Sequence, residues 1–189
     1  MPLKHAMKTI AYIAASLDGY IADPEGSVDW LNAIPNPEQS DYGFADFLSG
    51  IDAVLMGRKT FEVVQSFGEW PYSKPVYVIS TQLTDIPQGY EGRVQLVSGP
   101  LQQILERIEK ETGPSIYVDG GTLIRSCLAK KCLSTLILTT VPILLGQGIP
   151  LFASSDQRIS LTHRETEVLG AGLVKSTYTV FPSSTPEMP

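Results

Sequence analysis

Arg58 and Lys59 follow a glycine that ends the apolar run Asp52-Ala53-Val54-Leu55-Met56-Gly57, and they lead directly into Thr60-Phe61-Glu62. A strand that turns into a helix at a glycine leaves backbone N–H groups without intrahelical partners, and the helix dipole adds roughly half a positive charge there. Gly57, Arg58, Lys59 and Thr60 could therefore hold a phosphate, with the two cations as side-chain support. A buried strand followed by an ordinary surface helix would use the same residues. A second junction of this kind makes the phosphate reading the stronger one. In Ser115-Ile116-Tyr117-Val118-Asp119-Gly120-Gly121-Thr122, a β-rich run ends at two glycines, and Leu123, Ile124 and Leu128 then recur at helical spacing. Adjacent glycines let backbone approach a ligand closely.

Other chemistries find little support. Cys127 and Cys132 are the only cysteines. Their spacing is neither Cys-x-x-Cys nor part of a zinc quartet, and His5 and His163 lie far away in sequence, so reduced thiols and no metal site are expected. There is no Gly-x-Ser-x-Gly elbow, no Gly-x-Gly-x-x-Gly fingerprint and no Walker A loop. The formal charge of −6 offers no basic field for nucleic acid or an anionic membrane, so a phosphate site must be local. No apolar run is long enough to span a bilayer, and Met1 to His5 lacks a signal-peptide pattern; a cytoplasmic location is expected.

The elements that position these residues alternate between strand and helix, as in an α/β layered domain. Strands are expected near 8–15, 52–56, 75–80, 94–97, 115–118, 134–141 and 173–181. The helix after Ser98 is the clearest: Pro100 suits its first turn, Leu101, Ile104, Leu105 and Ile108 form one apolar face, and Gly113-Pro114 stops it. No helix separates the last two strands, which predicts an antiparallel, hairpin-like finish. At 189 residues, 43% hydrophobic and 18% charged, the chain reads as one domain with a core over about 8–181 and a polar tail at 182–189. Residues 23–39 are rich in Pro, Gly, Asn and Asp and contain Trp30; a connection this long suits a lid over a site or an irregular surface loop.

Five phrases occur in an order that resembles the dihydrofolate reductase superfamily, and within it the reductase domain of bacterial riboflavin biosynthesis. They are Ser16-Leu17-Asp18-Gly19-Tyr20-Ile21-Ala22, Leu55-Met56-Gly57-Arg58-Lys59-Thr60-Phe61-Glu62, Val76-Tyr77-Val78-Ile79-Ser80-Thr81, Val118-Asp119-Gly120-Gly121, and Val141-Pro142-Ile143-Leu144-Leu145-Gly146-Gln147-Gly148. The resemblance covers about Lys8 to Phe181. It implies a three-layer α/β/α fold with a mixed, mainly parallel sheet, helices on both faces and a C-terminal antiparallel hairpin. It also implies an NADPH-dependent reductase and a homodimer. Gly57, Arg58, Lys59 and Thr60 would bind the adenosine-side phosphates, with Ser80 and Thr81 completing that pocket. Gly120, Gly121, Thr122 and Leu123 would hold the pyrophosphate, across a cis peptide at Asp119-Gly120-Gly121. Ala14 and Ile21 would line the nicotinamide edge, and the 23–39 segment would close over it. Trp30, Phe44 and Phe47 would face the substrate.

A helix expected from near Ser40 carries Phe44, Phe47, Leu48 and Ile51 on one apolar face. The superfamily's folate enzymes place a carboxylate one turn before a phenylalanine here, but Ser40 and Gly43 stand four residues before Phe44 and Phe47. Asp41 is the nearest catalytic candidate, and a first-turn acid at the helix dipole is its plainer role. This departure disfavours folate reduction. The expected activity is hydride transfer to a small polar substrate resembling a sugar-phosphate or aminopyrimidine ring system. A divergent dihydrofolate reductase and a non-catalytic nucleotide-binding or regulatory protein are the alternatives.

Overall fold

The computed structural model describes residues 7–152 and 158–181; the polar tail lies outside them. The chain runs β1 (Lys8–Ser16), β2 (Tyr20–Ala22), a 3-10 turn (Asp29–Ala33), α1 (Phe44–Ser49), β3 (Ala53–Gly57), α2 (Arg58–Ser66), β4 (Val76–Ile79) and β5 (Val94–Val97). It continues through α3 (Leu101–Thr112), β6 (Ser115–Asp119), α4 (Gly121–Ala129), β7 (Thr135–Val141), β8 (Ile149–Pro150), β9 (Leu161–Val168) and β10 (Val174–Val180). Eight strands form one sheet in the order β5-β4-β3-β6-β1-β7-β10-β9, and β2 pairs with β8 apart from it. Every pairing from β5 to β7 is parallel, whereas β10 runs antiparallel to both β7 and β9.

Burial explains the central strands. Ala53, Val54, Leu55 and Met56 have no exposed surface, as a parallel strand covered on both faces requires. Their side chains alternate between two cores. Ala53 and Leu55 join Ile116 and Val118 against α3 and α4, while Val54 and Met56 join Tyr117 against α1 and α2. The helices on each face thus bury apolar stripes read from the sequence. In α3, Leu101, Ile104, Leu105 and Ile108 are all buried.

Three strands escaped the sequence reading. β2 and β8 span three and two residues, too short for a periodic pattern. β9, Leu161-Thr-His-Arg-Glu-Thr-Glu-Val168, is exposed along almost its whole length, as a charged edge strand can be, so no apolar alternation marks it. The expected antiparallel pairing of β7 with β10 forms, and β9 adds to the outer edge of β10 as a hairpin partner.

The helix expected from near Ser40 begins instead at Phe44. Tyr42 and Gly43 both take positive φ, 53° and 85°, which no helix continues through. Asp41 lies ahead of the helix and accepts hydrogen bonds from the backbone N–H of Gly43 (2.9 Å) and Ala45 (2.8 Å).

The first and last of the five phrases meet in space. Asp18 accepts from the Ser16 hydroxyl (2.6 Å) and from the backbone N–H groups of Leu145 (3.1 Å) and Gly146 (2.7 Å). These bonds hold its carboxyl below the usual carboxylate range.

Candidate active site

The carboxyl ends of β3, β4 and β6 point toward the starts of α2 and α4, and crossovers leave β3 and β6 in opposite directions along the sheet. Open α/β sheets bind ligands at such a switch point. A cleft of about 740 Å³ lies there, walled by Gly57, Arg58, Lys59 and Thr60 at the β3–α2 junction, Gly99 and Pro100 just before α3, Thr122, Leu123 and Ser126 from α4, and Lys130 just after it. A second hollow of about 310 Å³ shares Arg58 and adds Ser80, Thr81, Gln82 and Ser98.

Three helices present their N-termini here. Their N-cap residues are Gly57, Pro100 and Gly120, and none supplies a side-chain cap. First-turn N–H groups left without a side-chain acceptor, at the positive ends of three helix dipoles, make a site for phosphate oxygens. The glycines fit that use. A Cβ on Gly57 or Gly99 would meet no protein atom within 4 Å, so both present bare backbone to the open cleft, and Gly99 at φ 122° has a conformation few other residues adopt. A phosphate-bearing dinucleotide thus fits the residues present. Arg58 is engaged by Glu62 one turn on, with the two side chains 31% and 48% exposed. An incoming phosphate would have to take the guanidinium from that weak surface pair.

Gly120 and Gly121 are also packed tightly within the protein itself. A Cβ on Gly120 would collide with the Thr60 hydroxyl, and one on Gly121 would collide with Ile21. The two glycines therefore admit this chain's own side chains, closing α4 onto α2 and β2. The cis peptide expected at this turn is absent: the described residues contain none. Gly120 makes the turn itself, at φ 94° and ψ 137°.

Of the residues assigned from sequence, Gly57, Arg58, Lys59, Thr60, Thr122 and Leu123 share the large cleft, and Ser80 and Thr81 share the small one with Arg58. Ala14 and Ile21 wall neither; Ala14 sits in β1 opposite Thr139, and Ile21 leans on Gly121. Phe44 and Phe47 pack with Tyr12 and Tyr117 on the α1 face of the sheet, Tyr12 stacking on Phe47 at 4.6 Å between centroids. Trp30 lies in the 3-10 turn, its indole N–H buried without an acceptor among the described residues.

Asp41 is poorly suited to donate a proton. It is exposed, and the N–H groups of Ala45 and Gly43 hold its carboxyl below the usual range, so it stays an anionic cap. The carboxyl in the opposite condition is Asp119, at the end of β6 just before Gly120. Burial pushes it above the usual range, although Tyr72 donates to Oδ2 at 2.9 Å. Tyr117, the neighbouring phenol on this face, donates to the Tyr12 carbonyl at 3.0 Å. The sequence displayed Asp119 in its Asp-Gly-Gly turn, but its half-buried setting and its hydrogen bond from Tyr72 come from residues distant in the chain, and nothing local announces them. Ser98, Gly99 and Lys130 also escaped notice, because they reach the cleft only through the crossovers of α3 and α4.

Similarity to known proteins agrees with this architecture. Residues 7–175 match the family model of the RibD C-terminal domain. The uncharacterised protein YwjB of Bacillus subtilis (strain 168) is 34% identical over 167 residues, 86% of this chain and 92% of its own. A crystal structure from Shewanella sp. PV-4, carrying a provisional riboflavin-biosynthesis name, is 41% identical with a TM-score of 0.88, over 93% of this chain and all of the other. The dihydrofolate reductase of Enterococcus faecalis, solved with NADP(H), has a TM-score of 0.65 at 17% identity over 93% of this chain and 97% of the other, a likeness of fold. With its mixed, mostly parallel sheet, its helices on both faces and a family match over most of its length, this chain belongs to the RibD C-terminal domain family.

Proposed function

We propose that this protein is an NADPH-dependent reductase acting on a small polar substrate of the aminopyrimidine or sugar-phosphate kind. The observation that carries the reading is the convergence of three helix N-termini without side-chain caps on one cleft that also holds Arg58, Lys59 and Lys130. A bound nicotinamide cofactor would supply a hydride to a substrate carbon. The chain's own work is placement. Arg58, Lys59, Ser80 and Thr81 bind the 2′-phosphate end, and the first turns of α3 and α4 bind the bridging phosphates with Thr122 and Leu123. Ala14 and Ile21 border the nicotinamide end, and the 23–39 segment shields it from water.

On the substrate side, Asp119 takes the place that Asp41 was expected to fill. A carboxyl whose affinity for a proton is raised by burial can hold one at neutral pH more readily than an exposed cap, and can pass or share it with a substrate nitrogen. Trp30 offers an N–H that no acceptor among the described residues meets, and leaving such a donor buried costs about 1–3 kcal/mol that a substrate oxygen would relieve. Phe44 and Phe47 supply the apolar floor.

The test is a panel of aminopyrimidine and sugar-phosphate substrates with the purified protein, followed by loss of NADPH absorbance. Turnover of one of them with NADPH is expected. Tight cofactor binding with no oxidation across the panel would favour the non-catalytic nucleotide-binding reading instead.

A further inference from the structure

Cys127 and Cys132 occupy special positions at the end of α4. Lys131 N–H donates to the Leu128 carbonyl (3.1 Å), Cys132 N–H donates to the Cys127 carbonyl (2.9 Å), and Lys131 sits at φ 55°. This pair of bonds closing on a left-handed residue is a Schellman motif, and such motifs bring the side chains at its two outer positions into contact. Here those two side chains are the only two cysteines of the chain. A direct 2.9 Å backbone hydrogen bond limits the separation of their Cα atoms to about 6.8 Å by standard bond lengths, within the span a disulfide needs.

The pair is asymmetric. Cys127 has no exposed surface, whereas Cys132 is half-buried, so a dissolved oxidant reaches Cys132 first. The neighbouring Cys127 thiol and the Lys130 charge lower the Cys132 thiol, while the same proximity and burial push Cys127 up. The more exposed thiol, with its pKa lowered relative to its partner, is the better attacking group in disulfide exchange. Between the two cysteines lies Lys130, which walls the large cleft.

We propose that Cys132 is a reversible thiol-oxidation site for small disulfides, that Cys127 is its resolving thiol, and that closing the Cys127–Cys132 bond draws Lys130 away from the cleft wall. The Cys132 thiolate attacks one sulfur of a disulfide RSSR, breaking its S–S bond; one RS⁻ leaves and takes up a proton. The Cys127 sulfur, giving up its proton, then attacks the Cys132 sulfur and expels the second RS⁻. Two protein thiols are oxidised by two electrons, and one RSSR is reduced to two RSH. The thiol chemistry stands by itself; the effect on the cleft rests on the reductase reading.

The reduced full-length protein is incubated with excess glutathione disulfide, quenched with acid and analysed by mass spectrometry after alkylation. Wild type is expected to lose both free thiols with no retained glutathione. Cys127→Ala is expected to keep one glutathione on Cys132, and Cys132→Ser to remain unmodified. A wild type that keeps both thiols, or a Cys132→Ser protein that takes glutathione on Cys127, overturns the proposal. In the second arm, NADPH is titrated against reduced and oxidised wild type, with a severalfold loss of affinity expected on oxidation. Unchanged affinity overturns the link to Lys130. Failure of both forms to bind NADPH sinks the reductase reading and leaves the thiol result to be judged by the first arm.

Discussion

At the scale of single residues, charge placement carries the proposed specificity. NADPH and NADH differ by a 2′-phosphate, and a chain of net charge −6 needs a fixed local cation to meet it. Arg58 is shared by both hollows and can engage phosphate oxygens bidentately once freed from Glu62. Arg58→Ala should therefore lower NADPH affinity roughly ten- to a hundredfold, the equivalent of one charge-assisted contact, and leave NADH nearly untouched. Titration of both cofactors checks this, and equal losses for the two would remove Arg58 from the 2′-phosphate site. Asp119 makes a prediction of opposite character. Its pKa is raised in the folded state, so the native protein binds the extra proton more tightly than the unfolded chain, and stability falls as pH rises through the folded value. Asp119→Asn removes the ionisable group while keeping an acceptor for Tyr72. Denaturant unfolding at a pH below the ordinary aspartate value and again at pH 8 should show a smaller fall in stability for the variant than for wild type, while turnover drops by about 10²-fold or more if this carboxyl handles the proton. A variant with full turnover would return the proton to water or to another group.

At the scale of elements, the junction between β6 and α4 is the most demanding. Gly120 combines a positive φ with a Thr60 hydroxyl occupying the space of any Cβ. Gly120→Ala should cost about 1–3 kcal/mol from backbone strain alone, with the Thr60 collision added. The loss should appear as a lower denaturation midpoint with an unchanged m-value, and the double variant Gly120→Ala, Thr60→Ser should recover little of it, because the hydroxyl remains. Recovery to near wild type would mean that the Thr60 methyl, rather than the turn, dominates. The Asp18 clasp is a second such element. Its lowered pKa means that the stability it contributes is present above the unfolded pKa and fades as pH falls through the folded one, so Asp18→Asn should flatten the acid limb of a stability profile.

At the scale of the whole molecule, the fold is shared with dihydrofolate reductases, but the carboxylate that the resemblance led us to expect on α1 is not there. No carboxylate projects from α1 one turn before Phe44 or Phe47; Gly43 is left-handed at that point and Asp41 is spent on the helix cap. Dihydrofolate should consequently be a poor substrate. Without that acid, pterin protonation loses roughly 10²-fold or more. Turnover of dihydrofolate on the order of 10 per second, ordinary for enzymes, would contradict the substrate-side assignment.

The residues legible in advance are those whose chemistry is contiguous in the chain. An apolar run that breaks at Gly57 before Arg58 and Lys59 announces a strand and a helix start together, because periodicity and dihedral freedom act within a few residues. The four apolar positions of α3 were legible for the same reason. Tertiary structure alone decided the rest. β9 has no buried face to leave a pattern, and Asp41 became a cap because Tyr42 and Gly43 turn left-handed. Gly120 and Gly121 proved to admit Thr60 and Ile21, neighbours supplied by α2 and β2. Asp119 has its pKa raised by desolvation against an opposing hydrogen bond from Tyr72, which lies 47 residues away. Desolvation and close approach are sums over neighbours in space, and a linear sequence displays only the neighbours along the chain.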